Sequence, residues 1–374
     1  LNLENIVQDI SKLLKNKLTT LKKTISITMN PKEKNYYMPA EWGKHECCWM
    51  QWPHENPDFK SYAEIPSWSH FDIEKGKLAW ANVAKAISNF EKVIMIVHPK
   101  NIENAKKLLD SKVEIVEFIN DDGWARDSGA IFLLNQDNKL GGVDWEFNGW
   151  GKFSPYDSDN KIAKFMIEET GATYFKNNMI LEGGSIHVDG EGTLITTEQC
   201  LLNKNRNPNL SKENIEKNLK EFLGVQKIIW LKHGTDEGTD GHVDNVACFV
   251  NIGKVMALTC LDKSDPYYER LNENLEILKT SLDSKGRRLE VIELEMSYKR
   301  FIPDDDEPSS YINFYIANNG IVMPSFNDEK ADNKAQKVIQ TAFLNRKIIA
   351  INGIDISMGG GNVHCITQQQ PLSI

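Results

Sequence analysis

One cysteine occupies a setting that could make it a nucleophile. Cys365 directly follows His364 and comes four residues after a run of three glycines, 359–361. Because glycine has no Cβ, the backbone there can lie close to another group, and nucleophilic attack requires an accessible thiolate. The same pattern fits a glycine-rich turn beside an ordinary small core residue. On this segment alone, the catalytic and the structural interpretation are about equally good.

Three other segments carry side chains that would complete a site around such a thiolate: Asp122–Asp127, Leu181–Gly184 and Gly241–Asp244. Each lies at a predicted strand–loop junction, where scaffolds commonly present functional groups. His242 would serve as the general acid and base. Glu182 would orient that imidazole and stabilise its protonated form, as the third member of a catalytic triad does.

The remaining carboxylates indicate a cationic substrate. Asp127 and Asp244 could accept the N–H groups of a guanidinium, which is planar and always charged. Trp124 could form an aromatic wall against the substrate's stem or cation, and Asp122 is a further candidate contact. Taken singly, the Gly-His-Val-Asp and Glu-Gly-Gly segments could instead be polar turns with a structural role.

Three neighbouring polar residues are assigned structural roles. Arg126 is flanked by acids, which is typical of a structural ion pair, and His187 lies in an alternating strand. His364 is the cysteine's immediate neighbour, but adjacent strand residues point to opposite sides. The sequence therefore favours His242 over His364 as the base.

The elements that must position these residues repeat along the chain. Five helical patterns, each followed by an apolar β-rich run, indicate repeated βαβ-type modules. The helices are expected near Lys75–Phe90, Asn160–Glu169, Ser211–Phe222, Tyr267–Ser281 and Lys330–Leu344. The strands that follow them are expected at Lys92–His98, Ala172–Phe175, Gln226–Leu231, Leu289–Glu293 and Lys347–Ile351. A further short helix near Ile102–Leu109 interrupts the regularity.

Strand pairs are expected between the helices, joined by tight turns such as 189–192. They are Ala130–Leu134 with Gly141–Phe147, Ile186–Val188 with Thr193–Thr196, and Val246–Val250 with Val255–Thr259. No Pro- or Ser-rich linker interrupts residues 37–374, which predicts one α/β domain of about five modules. A two-domain Rossmann protein is the alternative, but no Gly-x-Gly-x-x-Gly stands between a strand and a helix. Residues 1–30 have apolar residues at helical spacing and are expected to form an amphipathic helical extension.

Composition narrows the class of function. The 374 residues carry a net charge of −9, which argues against nucleic-acid binding and agrees with a cationic small substrate. No apolar run approaches the roughly 20 residues needed to cross a bilayer, so no membrane partner is expected. The six cysteines show no Cys-x-x-Cys spacing and the histidines are scattered. We therefore expect a reducing, cytoplasmic location and no zinc site.

Six segments, in order along the chain, resemble the agmatine deiminase family of guanidine-modifying enzymes. They are Met38–Trp42 with Trp49–Pro53, Trp124–Gly129, Asp144–Trp150, Leu181–Ser185, Thr239–Asp244 and Gly359–Pro371. The resemblance covers nearly all of the chain after residue 36 and implies a five-bladed α/β propeller of the pentein type, with ββαβ modules in pseudo-fivefold symmetry. It also implies that Trp124 lines the pocket. The catalytic set that it implies is Cys365, His242, Glu182, Asp127 and Asp244.

The resemblance implies hydrolysis of agmatine to N-carbamoylputrescine and ammonia through a covalent amidino-cysteine, in putrescine biosynthesis or agmatine breakdown. No metal or cofactor is expected. Gly360 would leave space for the planar cation against the backbone, and the partners would be the guanidine substrate and further copies of the chain in a homo-oligomer. Lys152 departs from the glycine that the family often has there.

The alternatives are a peptidyl-arginine or free-arginine deiminase, an amidinotransferase, and a non-catalytic ribosome-binding propeller. A ribosome-binding protein of this fold should have lost the nucleophile and the base, but Cys365 and His242 are both present. Function has to be argued from the site because one fold hosts many functions.

Overall fold

The computed structural model describes residues 30–54, 72–152, 154–301 and 306–374. The strands are β1 (His45–Gln51), β2 (Lys92–Val97), β3 (Val113–Glu117), β4 (Ile131–Leu134), β5 (Leu140–Glu146), β6 (Thr173–Ile180), β7 (Ile186–Val188), β8 (Thr193–Thr197), β9 (Lys227–Leu231), β10 (Ala247–Asn251), β11 (Lys254–Thr259), β12 (Glu290–Glu295), β13 (Tyr315–Ala317), β14 (Gly320–Ser325), β15 (Lys347–Asn352) and β16 (Thr367–Pro371). The α-helices are α1 (Ile73–Ile87), α2 (Ile102–Leu108), α3 (Ala125–Ser128), α4 (Ile162–Thr170), α5 (Glu198–Leu201), α6 (Lys212–Phe222), α7 (Tyr268–Thr280), α8 (Glu329–Ala342) and α9 (Ile354–Ser357). The helical extension predicted for residues 1–30 lies outside the described residues, apart from Asn30.

Five small sheets repeat one strand order. In each, two antiparallel strands are followed by a helix and then by a third strand parallel to the second. For example, Ile186 of β7 pairs with Thr196 of β8, and Thr193 of β8 pairs with Lys227 of β9. The remaining sheets are β4-β5-β6, β10-β11-β12, β13-β14-β15 and β16-β1-β2, the last extended by β3. The predicted ββαβ modules and the α/β propeller are confirmed, with small differences at the ends of the elements.

Each long helix of the modules carries an apolar face, and α1, α6 and α8 also begin at a side-chain cap. In α6, the Ser211 hydroxyl accepts a hydrogen bond from the Asn214 amide, and only Ile215 and Leu219 are buried. These two residues are four apart and therefore lie on the same face. The other faces are polar and can remain in water, so packing against the sheet fixes the orientation of the helix.

The sheet ring closes between the two ends of the described chain. Strand β16 runs antiparallel to β1, with Trp49 opposite Gln368 and Cys48 opposite Gln369. Although its sequence is Thr-Gln-Gln-Gln-Pro, the whole of β16 is buried. The side-chain carbonyl of Gln370 accepts hydrogen bonds from Trp49 Nε1 at 2.9 Å and from the thiol of Cys47 at 3.3 Å. The side-chain carbonyl of Gln370 is thus satisfied inside the core, whereas the side-chain oxygens of Gln368 and Gln369 are buried without a hydrogen-bond partner among the described residues.

A connecting segment, called a junction below, links the last strand of one module to the first strand of the next. The first strands are β4, β7, β10, β13 and β16. Strand β4 contacts β16, and β7 contacts β10. Three junctions end in a single helical turn: α3, the 3₁₀ turn Gly183–Ser185, and the 3₁₀ turn Val243–Asn245. These turns place side chains from different modules against one another. Across the described ranges, no helix is both long enough and apolar enough to span a membrane.

Candidate active site

Every junction contributes a polar or nucleophilic side chain a few residues before the first strand of the next module. These residues are Asp127 before β4, Glu182 before β7, His242 and Asp244 before β10, Asn313 before β13, and Cys365 before β16. All are buried. Because the modules repeat around a ring, equivalent positions in successive junctions meet at one place. The structure therefore brings together the five residues that the resemblance implied, and adds Asn313.

The candidate nucleophile lies in a turn just before β16 and is held by Asn313. The side-chain amide of Asn313 lies 3.2 Å from Cys365 Sγ and can donate a hydrogen bond to it. Its oxygen accepts hydrogen bonds from the backbone amides of His364 at 2.9 Å and Cys365 at 3.3 Å. Asn313 therefore fixes both the backbone and the sulfur of Cys365.

The thiol of Cys365 favours its neutral form when no cation is bound. Burial and the charges of Asp244 and Asp127 raise its pKa well above the ordinary value, while the hydrogen bond from Asn313 acts in the opposite direction. The Sγ atom lies 3.6 Å from Asp244 Oδ2. A cationic substrate placed between these groups would lower that pKa, because an opposite charge nearby favours the thiolate.

Asp127 is oriented by two donors on opposite sides. Gly184 donates its backbone N–H to Oδ1 at 3.0 Å, and Trp150 donates its indole N–H to Oδ2 at 2.9 Å. Burial raises the pKa of Asp127 to about 6; the nearby His242 opposes this shift and Asp244 adds to it. Asp127 is therefore mostly ionised at neutral pH and becomes protonated in mild acid.

His242 lies beside Asp127, with Nδ1 at 3.7 Å from Asp127 Oδ1. Burial opposes its charge, but the carboxylate of Asp127 and a hydrogen bond with Cys200 raise its pKa well above the ordinary value. The neighbouring carboxylate thus favours the protonated imidazole, the form that can act as an acid. Gly184 makes the close approach possible, since a Cβ there would come within 2.6 Å of His242 Nδ1 and 2.9 Å of Asp127 Oδ1.

Glu182 lies on the other side of the histidine and is held by a buried arginine. Arg206 donates Nε–H to Glu182 Oε1 at 2.5 Å and Nη1–H to Asp240 Oδ2 at 2.6 Å. The side chains of Glu182 and Arg206 are both fully buried. Glu182, Cys200 and His242 all present ligand atoms within 4.8 Å of one another, so Glu182 is close enough to influence the imidazole.

Asp244 is tied to the residue that precedes the nucleophile. Its Oδ2 lies 2.8 Å from His364 Nδ1. Burial would raise the pKa of Asp244, but the hydrogen bond and the positive charge of His364 outweigh it and lower the pKa below the ordinary value. The sequence argument against His364 assumed a strand, but residues 363–366 form a turn. The exclusion of His364 from the catalytic set therefore stays a prediction.

A cavity of about 450 Å³ opens above Cys365 and Asp127. Trp124 and Trp150 form aromatic walls, and Gly360, with φ of 96°, contributes backbone. The remaining lining residues are Asp236, Gly238, Thr239, Glu307 and Gly359. Gly361 separates Trp124 from the nucleophile: a Cβ there would meet the indole at 2.5 Å and Cys365 Sγ at 3.2 Å. The wall and the glycine contact expected from the sequence both occur at this cavity.

Asp122, a candidate substrate contact, is placed differently. Its Oδ1 accepts the backbone N–H of Gly123 at 2.7 Å. Burial raises its pKa to about 7, and hydrogen bonds from Gly123 and Trp124 moderate the shift. It is not among the described residues that line the cavity, and its contact with substrate stays a prediction.

Sequence reasoning missed Asn313, Trp150 and Arg206. Asn313 gave a usable signal, because it stands two residues before a module's first strand, as Cys365 does. Trp150 belongs to one of the matching segments, but its left-handed backbone, with φ of 51°, turns its indole toward Asp127. Arg206 lies in a loop with no motif around it, and its burial depends on the tertiary fold.

Two buried trios could geometrically hold a metal ion: Glu41 with His187 and His364, and Glu182 with Cys200 and His242. In the first trio, the guanidinium of Arg126 lies 3.2 Å from Glu41 Oε1 and already balances that carboxylate. The second trio contains the candidate general acid and base. The expectation that the chemistry needs no metal stays a prediction.

The comparisons with known proteins agree with this site. The profile of the Porphyromonas-type peptidyl-arginine deiminase family matches residues 37–371. An agmatine deiminase from Pseudomonas aeruginosa is 42% identical over 370 residues, covering 92% of this chain and 98% of the relative. An agmatine deiminase from the plant Medicago truncatula is 40% identical over 370 residues, with coverage of 90% and 96%.

Among solved structures, the agmatine deiminase of Enterococcus faecalis superposes with a TM-score of 0.84 at 37% identity, covering 93% of this chain and 99% of that chain. This chain belongs to the Porphyromonas-type peptidyl-arginine deiminase family and is a relative of the agmatine deiminases, as its motifs predicted.

Proposed function

We propose that this protein hydrolyses agmatine to N-carbamoylputrescine and ammonia through a covalent amidino intermediate on Cys365. The observation that carries the proposal is the buried cluster of a thiol, two carboxylates and a histidine, from which Cys365 and Asp127 line the cavity. Asp127 and Asp244 would accept the N–H groups of the guanidinium and aim its central carbon at Sγ. Such pairs of charged hydrogen bonds fix orientation as well as affinity.

The first half of the reaction forms the intermediate and releases ammonia. Binding of the cation lowers the pKa of Cys365, whose proton leaves to solvent, and the thiolate forms a bond to the guanidinium carbon. His242 then donates its proton to one nitrogen of the tetrahedral adduct. The bond between carbon and that nitrogen breaks, ammonia departs, and a positively charged amidino-cysteine remains beside a neutral imidazole.

The second half restores the enzyme. His242 removes a proton from water as the oxygen attacks the amidino carbon, with Glu182 stabilising the imidazolium that forms. The carbon–sulfur bond then breaks, the hydroxyl proton passes to the sulfur, and the urea group of N-carbamoylputrescine is released. The thiol and the protonated histidine are both regenerated, and the proton first lost to solvent converts ammonia to ammonium.

The charges that line the cavity favour an amine over a carboxylate. Asp236 and Glu307 are among its lining residues, and no lysine or arginine occurs among them in the described part of the chain. The ammonium of agmatine would be attracted by these acids, whereas the carboxylate of free arginine would be repelled. This charge pattern supports agmatine, the substrate in the names of the relatives above, over the peptidyl arginine of the family description.

Ammonia release from agmatine, free arginine and a blocked arginine peptide at equal concentrations tests the substrate. We expect agmatine to be preferred by at least 100-fold in kcat/KM, because removing an unfavourable charge contact of a few kcal/mol has about that effect. Preference for the peptide would overturn the assignment in favour of a peptidyl-arginine deiminase. Guanidinylated products formed on adding amines would indicate an amidinotransferase.

The nucleophile is tested by C365A, with C260A as the matched control. Cys260 is also a buried free cysteine, but it contacts Asp262 and Tyr298, at the edge of another module. C365A should lose at least 10⁴-fold in kcat, as expected when covalent catalysis is removed, and C260A should retain activity. Mass spectrometry of wild-type protein quenched in acid during turnover should show the amidino adduct on Cys365. Appreciable agmatine hydrolysis by C365A would rule out the mechanism.

A further inference from the structure

A row of buried charged side chains runs from Asp244 away from the substrate site, and its members beyond Asp244 have no role in the reaction steps above. Asp244, His364, Glu41 and Arg126 follow one another, with His187 at the side of Glu41. None of the five side chains is more than 4% exposed. Four groups of alternating charge are thus removed from water. Their desolvation costs free energy unless each charge is paired and hydrogen-bonded in good geometry.

Hydrogen-bond geometry fixes the protonation state of His364. Its Nδ1 lies 2.8 Å from Asp244 Oδ2, and its Nε2 lies 3.0 Å from Glu41 Oε1. Ionised carboxylates only accept hydrogen bonds, so both ring nitrogens must donate. His364 is therefore an imidazolium held between two carboxylates.

His187 differs, although it lies against the same glutamate. Its Nδ1 faces the backbone N–H of Phe249 at 3.2 Å and must accept that hydrogen bond. Its Nε2 then carries the proton and lies 3.5 Å from Glu41 Oε2. One protonated nitrogen is enough for these contacts, and His187 does not reach Asp244.

The same network clamps the backbone of the nucleophile. Arg126 donates Nε–H to the carbonyl of His364 at 3.3 Å and its backbone N–H to the carbonyl of Cys365 at 3.2 Å. It also donates to Glu41 Oε1 at 3.2 Å. The position of Cys365 and the orientation of Asp244 therefore depend on one connected set of charges.

We propose that His364 is a positioning residue that acts through Asp244: its imidazolium fixes Asp244 Oδ2 and keeps that carboxylate charged for the substrate, while Glu41 and Arg126 hold His364 in place. The proposal rests on the proposed function only in that Asp244 binds the guanidinium. The proposal gives a role to His364, the residue next to the nucleophile. In this role His364 neither attacks the substrate nor transfers a proton to it.

The direction of the pKa shifts agrees with this geometry. Burial and Arg126 oppose protonation of His364, but Glu41 and Asp244 raise its pKa above the ordinary value. Burial alone would raise the pKa of Glu41, yet the charges of His364 and Arg126 and the hydrogen bond from His187 lower it well below the ordinary value. The pKa of Asp244 is likewise lowered, and this carboxylate also faces Cys365 and His242. Without the imidazolium, burial would dominate and Asp244 would become protonated at higher pH.

H364N tests the charge while keeping a donor near the position of Nδ1. A neutral donor is about half as strong as a charged one, so we expect KM for agmatine to rise about tenfold at pH 7 with a smaller change in kcat. The acid limb of kcat/KM should move to higher pH and become steeper, since without the imidazolium burial raises the pKa of Asp244 toward that of Asp127 and both carboxylates must be ionised to bind the cation. H187N is the matched control, because Asn Oδ1 can still accept from Phe249, and its acid limb should stay in place.

A measurement without substrate separates this proposal from the proposed function. Two-bond ¹H–¹⁵N NMR spectra of the wild-type protein at pH 7 to 8 should contain an imidazolium that is absent from H364N. A neutral His364 in those spectra, or a folded H364N with unchanged KM and an unchanged acid limb, would overturn the proposal. Failure of the wild-type protein to release ammonia from agmatine would overturn the proposed function. The spectra would still show whether His364 is an imidazolium.

Discussion

Cys365 lies among groups that favour its protonated form, so substrate has to supply the charge that activates it. The pKa of the thiol is raised by burial and by two carboxylates, and the same carboxylates are placed to bind a guanidinium. In the resting protein these acids suppress the thiolate, and in the complex their charge is neutralised by the substrate. The reactive form therefore appears where a suitable cation is bound, which limits side reactions of the thiol.

Asn313 should be needed for the nucleophile more than for substrate binding. N313A removes the hydrogen bond to Cys365 Sγ and the acceptor for the backbone amides of residues 364 and 365. A hydrogen bond to a charged group contributes about 1.5–3 kcal/mol, so kcat should fall roughly 10- to 100-fold while KM changes little. The pH dependence of alkylation by iodoacetamide should also shift to higher pH. Unchanged alkylation would show that Asn313 does not stabilise the thiolate.

Asp127 should give agmatine hydrolysis an acid limb near pH 6. Its pKa is about 6 and only the ionised form can bind the cation, so kcat/KM should fall as pH falls through that value. The same raised pKa means that the folded state binds this proton more tightly than the unfolded chain does. Its contribution to stability is therefore lost as pH rises from about 4 to about 6.

The buried carboxyl of Asp122, with a pKa of about 7, could produce a second limb. D122N removes that group, so a limb that persists near pH 6 in D122N belongs to the site carboxylates. A limb near pH 4 in both proteins would contradict the assignment to Asp127.

At this scale the sequence was most informative where a residue type is rare or reactive. Cys365 and His242 could be identified because few side chains perform their chemistry. Asn313 and Trp150 could not be, because asparagine and tryptophan have many structural uses and their roles depend on which way the backbone turns. Asp122 was a candidate from its motif, and the structure shows its Oδ1 accepting the backbone N–H of Gly123.

At the scale of elements, the short turns that end each junction control the geometry of the site. The turn Gly183–Ser185 packs against the turn Val243–Asn245 and against α3. These contacts bring Glu182, His242 and Asp127 within reach of one another although they come from three modules. The strands and long helices were predictable from the period of their apolar residues. The single turns were not, because they are too short to show any period.

Gly184 lies where the turn Gly183–Ser185 packs closely against the side chains of His242, Asp127 and Asp244. G184A would place a Cβ within 3.1 Å of Asp244 Oδ2 as well as against His242 and Asp127. We expect at least a 100-fold loss of kcat/KM with a folded structure retained, since a displacement of about 1 Å at a catalytic group has an effect of that size. Circular dichroism and agmatine hydrolysis provide the measurement.

G171A is the control for G184A. Gly171 ends α4 with φ of 64° and has open space where a Cβ would be. Alanine there should cost about 1–2 kcal/mol of stability through backbone strain and leave kcat/KM unchanged. Equal losses of activity in G184A and G171A would mean that general destabilisation, and not contact at the site, explains the effect.

For the molecule as a whole, closure of the ring depends on a polar strand. Q370A should destabilise the protein by about 1–3 kcal/mol, because Trp49 Nε1 and the Cys47 thiol would lose their buried acceptor. Urea unfolding measures this, with E46A as the control on the exposed face of β1. A loss no greater than that of E46A would show that the amide is replaceable. One cooperative transition would support the prediction that residues 37–374 form a single domain.

The sequence predicted the number of modules but not how the ring closes. Strand β1 was recognisable as an apolar run, whereas the glutamines of β16 are typical of exposed segments. Their burial is explained by tertiary hydrogen bonds that no local pattern reveals. Oligomeric state and cytoplasmic location stay predictions, which light scattering and cell fractionation can test.

The order of the chain has a consequence for synthesis. Cys365 immediately precedes β16, the strand that pairs with β1 and closes the ring. A ribosome delivers these residues after those of every other junction, so a nascent chain can hold four modules and still lack both closure and a nucleophile. Chains released before this point should be inert toward guanidines and expose the edge of β1 to proteases and chaperones. Catalytic competence is thus acquired in the same late step that removes the main signal for degradation.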